Sequence, residues 1–172
     1  MEKGEKKEGN KLKIDLIIEG VVIDRIEPGQ APEVIKILGI KPGTDKVVSI
    51  AMNVSSKSMG RKDIVKIEGK ELDPIEINKI AIIARRARIN VIKNTNVINK
   101  SDVKIPAVME GLIRCQNPTC ITRAVRDDDP SIPKEPVKTR FITLNPESEE
   151  PTFECNYCHS ILNRKEAIEA LM

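Results

Sequence analysis

The residues able to do chemistry in this 172-residue chain gather in its last third, which holds all four cysteines and the one histidine. Cys115 and Cys120 form a C-x4-C pair, and Cys155 and Cys158 form a C-x2-C pair. Spacings this short set two thiolates on one turn, and two such turns supply the four soft ligands of a closed, tetrahedral structural zinc site. Two disulfides or an iron–sulfur cluster draw on the same four residues. Disulfides belong with secretion, whereas residues 1–11 alternate Lys, Glu and Gly without the apolar stretch of a signal or transit peptide. Four thiolates leave no open position, so the expected Zn2+, one per chain, is structural and not hydrolytic.

The other chemical candidates carry less. His159 follows a ligand directly, but a completed four-thiolate site has no use for it, and it reads as a surface residue. A single histidine also argues against a Ser-His-Asp or Cys-His enzyme. Asp127, Asp128 and Asp129 sit beside Pro130 without the ligand spacing of a calcium loop, and read as a solvated acidic turn. Met59-Gly60-Arg61-Lys62 lacks the long glycine loop of a Walker motif, and a strand pattern follows it where a helix is needed. Lys62 and Lys66 can still meet phosphates as side-chain charges on an exposed sheet face.

The elements that must position these residues fall into two units. The first hundred residues contain no cysteine, histidine or aromatic side chain, only aliphatic runs broken by Lys, Glu, Gly and Pro. Residues 21–26 read as a strand and 31–38 as a helix ending at Gly39. Residues 47–54 and 61–68 then read as a hairpin. Asp73-Pro74 provides an N-cap and a first-turn proline for a second helix, with Ile75, Ile77, Ile80, Ile83 and Ala84 as its apolar stripe. Residues 87–93 form a last strand, and 11–18 and 96–99 are candidates for edge strands. The order βαββαβ predicts an α+β, ferredoxin-like antiparallel sheet covered on one face by two helices.

The side-chain period of two puts Lys62, Ile64 and Lys66 on one face and Val65 and Ile67 on the other, so the lysines face away from the helices. By the same parity Val22 pairs with Asp24, and Asn90 with Ile92. Residues 101–106 read as a linker, and 107–172 as a small all-β zinc-binding domain. Its strands are expected at 109–115, 137–144 and 152–155, with a Pro- and Asp-rich loop at 126–135 and a short helix at 164–172. Residues 1–10 read as a flexible tail, and 11–100 as the first domain.

Three segments taken together carry a family resemblance. They are Val22-Ile23-Asp24-Arg25-Ile26, the strand opening Met59-Gly60-Arg61-Lys62-Asp63, and the cysteine pairs in this order and spacing. In these the chain resembles the regulatory chain of aspartate carbamoyltransferase, an enzyme of pyrimidine biosynthesis. The resemblance implies a non-catalytic subunit whose N-terminal domain binds ATP, CTP and UTP as allosteric effectors. It also implies self-association as a regulatory dimer that links catalytic trimers through the zinc domain.

By position, the resemblance assigns to the nucleotide site Ile14, Asp15, Leu16, Ile17, Val22, Asp24, Arg25, Lys62, Lys66, Asn90, Ile92, Val97 and Lys100, and to the catalytic-chain contact Asn117. Lys62, Lys66 and Lys100 would offset triphosphate charge, Asp24 would accept from ribose hydroxyls, and backbone near Asp15 would read the base edge. Arg25 stands where the family commonly has histidine, and Thr95 where it has an aromatic. Thr119 and His159 replace an expected amide and carboxylate.

A net charge of +3 from 29 basic and 26 acidic residues is too balanced to mark nucleic acid or an anionic membrane as partner. A zinc-ribbon nucleic-acid-binding protein is the alternative of another class, but RNA-binding sheets of this topology stack bases on aromatics that these strands lack. A stand-alone nucleotide sensor for another enzyme is the third reading. The expected location is cytoplasmic.

Overall fold

The computed structural model describes residues 17–123 and 137–172. The expected tail, most of the edge strand at 11–18, the acidic turn at Asp127, Asp128 and Asp129, and the site residues Ile14, Asp15 and Leu16 lie outside the described residues. The chain runs β1 (Gly20–Ile26), α1 (Ala31–Ile37), β2 (Val48–Ser56), β3 (Gly60–Glu68), α2 (Pro74–Ile83), β4 (Arg88–Lys93) and β5 (Asn96–Asp102). These five strands form one antiparallel sheet in the order β2-β3-β1-β4-β5. It is the expected βαββαβ arrangement with one added edge strand.

Local chemistry explains the elements. Asp73 accepts from the Glu76 backbone N–H at 2.7 Å while the Glu76 carboxylate accepts from the Asp73 N–H at 3.1 Å, a capping box that starts α2. Val21, Ile23, Val65, Ile67 and Ile89 project to the helix side of the sheet and bury against Val34, Ile80 and Ile83. Gly20 is obligatory, because its φ is 143° and a Cβ there would lie 2.2 Å from the Ile67 carbonyl oxygen.

Two bulges interrupt the ladder, in β1 between Ile23 and Ile26 and in β2 between Ala51 and Val54. They place Arg25 and Asn53 at φ of 60° and 55°. The second is held by Asp63, a fully buried side chain whose Oδ1 accepts from the Asn53 N–H at 2.7 Å. Its Oδ2 accepts from the N–H groups of Gly29 at 2.8 Å and Ala31 at 3.2 Å, and so also satisfies donors where α1 begins. Sequence alone read Asp63 only as part of the Met-Gly-Arg-Lys-Asp segment.

The second unit is β6 (Val108–Glu110), a 3-10 turn (Ile121–Arg123), β7 (Arg140–Leu144), β8 (Thr152–Cys155), β9 (Ile161–Leu162) and α3 (Arg164–Glu169), with a sheet in the order β6-β7-β8-β9. Its core joins Met109, Phe141, Phe153 and Leu162 to the buried cysteines. Among the described residues no helix is long and apolar enough to cross a membrane.

Three expectations need adjustment. Strand β5 runs on through Ser101 and Asp102, and Val103 is buried in the first core with its N–H on Ala87, so the segment read as a linker is largely structured. Ladder pairing with β4 overrides its polar composition. Ile75 is 55% exposed and lies off the buried face of α2, which is formed by residues 80–83. The strand expected at 109–115 stops at Glu110, where Gly111 takes φ 65°.

The two cores also interlock. Ile82 of α2 packs into the second core, while Ile168 and Leu171 pack against both. Arg164, at the start of α3, donates through Nε to the Ile82 carbonyl at 3.0 Å, through Nη2 to the Ile83 carbonyl, and through Nη2 to Glu27 Oε2 at 2.7 Å. A guanidinium from one domain thus caps the carbonyl end of a helix in the other, where the helix dipole favours a cation.

Candidate metal centre and effector face

The turn at 115–120 and the β8–β9 turn bring Cys115, Cys120, Cys155 and Cys158 together with all four Sγ atoms within 4.8 Å of one another. Cys115 and Cys158 are 3.6 Å apart and Cys120 and Cys155 3.8 Å apart. Disulfides would need about 2.05 Å. A tetrahedron with metal–sulfur bonds of about 2.3 Å has sulfur–sulfur edges of about 3.8 Å, so the donor set fits one tetrahedral ion.

Hydroxyl groups lie against three of the sulfurs, while burial opposes deprotonation of Cys115 and Cys155. Ser160 Oγ lies 3.0 Å from Cys158 Sγ and 3.5 Å from Cys115 Sγ, and Thr122 Oγ1 lies 3.2 Å from Cys120 Sγ. Burial pushes the Cys115 thiol up to about 12 against hydrogen bonds from Ser160 and the Asn117 backbone. Burial also raises Cys155. It acts in the same sense on Cys158, but hydrogen bonds from the Ser160 hydroxyl and N–H outweigh it and hold that thiol down to about 6. A divalent ion removes the conflict by neutralising buried thiolates. His159 is exposed, with Nδ1 2.7 Å from Glu154 Oε1, and stands outside the sulfur cluster, in keeping with its reading as a surface residue. Asn117 Oδ1 accepts from the Thr119 N–H and hydroxyl at 3.0 and 2.8 Å, closing the loop between the first two cysteines.

On the sheet, the face away from the helices carries a line of side chains from neighbouring strands. Lys66 of β3 stands opposite Val22 of β1, Val22 opposite Asn90 of β4, and Asn90 opposite Lys100 of β5. Steps of about 4.8 Å between strands make this line about 14 Å long. Ile92 is buried beside it and stands opposite Val97, which is exposed.

Two residues further along β1, Asp24 Oδ1 accepts from the Arg25 N–H at 2.8 Å and from Lys62 Nζ at 2.6 Å, which leaves Oδ2 for another donor. At the opposite end of the sheet, beside Ile92 and Val97, Ile17 is buried and the Ile18 carbonyl takes the Thr95 N–H. The geometry therefore groups Val22, Asp24, Lys62, Lys66, Asn90, Ile92 and Lys100 on one face, with Arg25 on the bulge at its end and Val97 at the β5 edge.

Sequence reasoning missed Arg88 on this face. It stands opposite both Asp24 and Asp102 and binds Asp102 through two nitrogens at 2.6 and 2.9 Å. The hydrogen bonds and charge of that pair raise Arg88 and lower Asp102 from their ordinary values. Its parity with Asn90 and Ile92 was the available signal.

The fold and these sites define a two-domain protein, an α+β sheet domain joined to a small metal-binding β domain. Residues 12–104 match the family model for the allosteric domain of the aspartate carbamoyltransferase regulatory chain, and residues 107–168 match that for its metal binding domain. An aspartate carbamoyltransferase regulatory chain of Hyperthermus butylicus is 43% identical over 164 residues, covering 95% of this chain and 96% of the relative. One from Methanosarcina barkeri is 41% identical over 157 residues, covering 91% and 94%. Another from Korarchaeum cryptofilum is 44% identical over 156 residues, covering 90% and 92%. This chain belongs to the family of aspartate carbamoyltransferase regulatory chains, which are non-catalytic subunits.

Proposed function

We propose that the open face of the N-terminal sheet, in a domain spanning residues 11–100, binds ATP, CTP and UTP as competing allosteric effectors. The observation that carries this reading is the line from Lys66 through Val22 and Asn90 to Lys100, with Lys62 and Asp24 beside it. Two lysines at its ends and a third along the strand answer a triphosphate, and the open Oδ2 of Asp24 answers a ribose hydroxyl. Ile92 and Val97 supply apolar surface for a base.

The four cysteines hold one structural zinc, for which four thiolates at these separations are suited. Through this domain, residues 107–172, and its Asn117 loop, the chain contacts aspartate carbamoyltransferase catalytic chains. Pairing with a second copy makes the dimer that links catalytic trimers. Cysteines placed as metal ligands and not as disulfides fit a cytoplasmic setting.

Calorimetry on the zinc-loaded chain tests the effector site. Lys66→Ala or Lys100→Ala should weaken CTP binding about tenfold or more while barely changing cytidine, because each removes a charge-assisted contact to phosphate. Equal losses for both ligands reject the assignment. Native mass measurement of a mixture with catalytic trimers tests assembly, and metal analysis should find one zinc per chain.

A further inference from the structure

Beyond the end of this face lies a cleft of about 310 Å3, lined by Arg25, Ser58, Met59, Arg85, Arg86 and Asp102. It is continuous with the face at two points. Arg25 follows Asp24 in β1, and Asp102 is bound by Arg88, which stands opposite Asp24. The β1 bulge places Arg25 at φ 60°, out of regular alternation, and a bulge of this kind re-aims a side chain. Three guanidinium groups line the cleft against a single carboxylate, and Arg88 already neutralises that carboxylate through two hydrogen bonds. The cleft is therefore an anion site in its charge, and guanidinium groups favour phosphate oxygens.

Two of its arginines have a second attachment. Arg85 Nη1 donates to the Ser148 carbonyl at 2.5 Å, and Arg86 Nη2 donates to Glu149 Oε1 at 2.7 Å. Ser148 and Glu149 belong to the β7–β8 loop of the metal domain. The Arg86–Glu149 pair is 52% and 80% exposed, so it is cheap to exchange for a better acceptor. A terminal phosphate supplies several charged acceptor oxygens at once.

We propose that this cleft takes the terminal phosphates of a nucleoside triphosphate bound on the open face, and that phosphate there competes with the Ser148–Glu149 loop for Arg85 and Arg86. The inference rests on the effector reading above and gives it a route. An effector changes the grip between the two domains according to its phosphate number, which is the differential interaction that allosteric coupling requires. A nucleoside monophosphate on the same face stops short of the cleft and leaves the loop held.

The test compares CTP and CMP on the full zinc-loaded chain by calorimetry, with hydrogen exchange read at the β7–β8 loop. Arg85→Gln with Arg86→Gln should cost CTP about tenfold in affinity and leave CMP within about twofold. Glu149→Gln removes the competing acceptor and should tighten CTP about twofold to fivefold with CMP unchanged, a gain that loss of folding cannot imitate. CTP, and not CMP, should raise exchange in the loop of the unaltered chain.

Equal effects on CTP and CMP, or no effect of either set of substitutions on CTP, overturn the proposal. A Lys66→Ala control separates the levels. If it weakens CTP while the arginine substitutions do not, the cleft assignment alone fails. If it too leaves CTP unchanged, or no nucleotide binds, the effector face is misplaced and both fall.

Discussion

Replacing Asp63 tests whether one buried side chain shapes the end of the proposed effector face. Asp63→Ala strands three backbone donors, those of Gly29, Ala31 and Asn53. Ala31 is fully buried, so its N–H loses a partner that water cannot replace. Counting about 2 kcal/mol for that donor and about 1 kcal/mol for each of the two partly buried ones gives a loss of about 4 kcal/mol. Against a typical total of about 5–15 kcal/mol this is large. With a urea slope of about 2 kcal/mol/M it lowers the midpoint by about 2 M, read by circular dichroism on the zinc-loaded chain.

Asp63→Asn keeps the shape but turns one acceptor into a donor facing an N–H, so it should fall between, at about 2 kcal/mol. Both substitutions should also weaken CTP binding, since Asp63 binds Asn53 in the β2 bulge and stands opposite Ile26, where the β1 bulge that carries Arg25 closes. A midpoint shift below about 0.5 M for Asp63→Ala, or an Asn variant as unstable as the Ala variant, would refute the reasoning.

Chelating the metal should abolish amide protection across β6–β9 and α3 while β1–β5 stay protected, because the second core is built on the cysteines and the first is not. Hydrogen exchange checks this, and intact protection throughout would count against a structural metal. Arg164→Ala should cost about 3 kcal/mol by removing hydrogen bonds to Ile82, Ile83 and Glu27 at a half-buried interface, and should raise exchange in α3 before the sheets. Gly20→Ala should destabilise the first domain by at least about 2 kcal/mol in thermal unfolding, given the clash with the Ile67 carbonyl and the positive φ. In reconstituted enzyme, CTP and ATP should change substrate saturation of the assembly and not of catalytic trimers alone, measured by initial rates.

Much of this protein was legible without coordinates, and for local reasons. The cysteine spacings specify two chelating turns, the Asp73-Pro74 pair starts α2 wherever the chain goes, and strict alternation sorts Lys62 and Lys66 from Val65 and Ile67. Each of these signals acts within a few residues, and hydrophobic period or ligand reach is enough to read it.

What needed the tertiary structure involves partners far apart in the chain. Asp63 meets Gly29 across 34 positions and Arg164 meets Ile83 across 81, and no local pattern says which carbonyl or amide a buried charge will find. The strand past Asn99 was hidden because Lys100, Ser101 and Asp102 are polar on both faces, and only pairing with Asn90, Ile89 and Arg88 makes them a strand. Bulges break the alternation at Arg25 and Asn53, so parity orders residues within a strand but cannot say what stands opposite across the break. Side-chain alternation is a property of one strand, whereas register, bulges and interdomain caps are settled by which arrangement leaves the fewest buried polar groups unpaired.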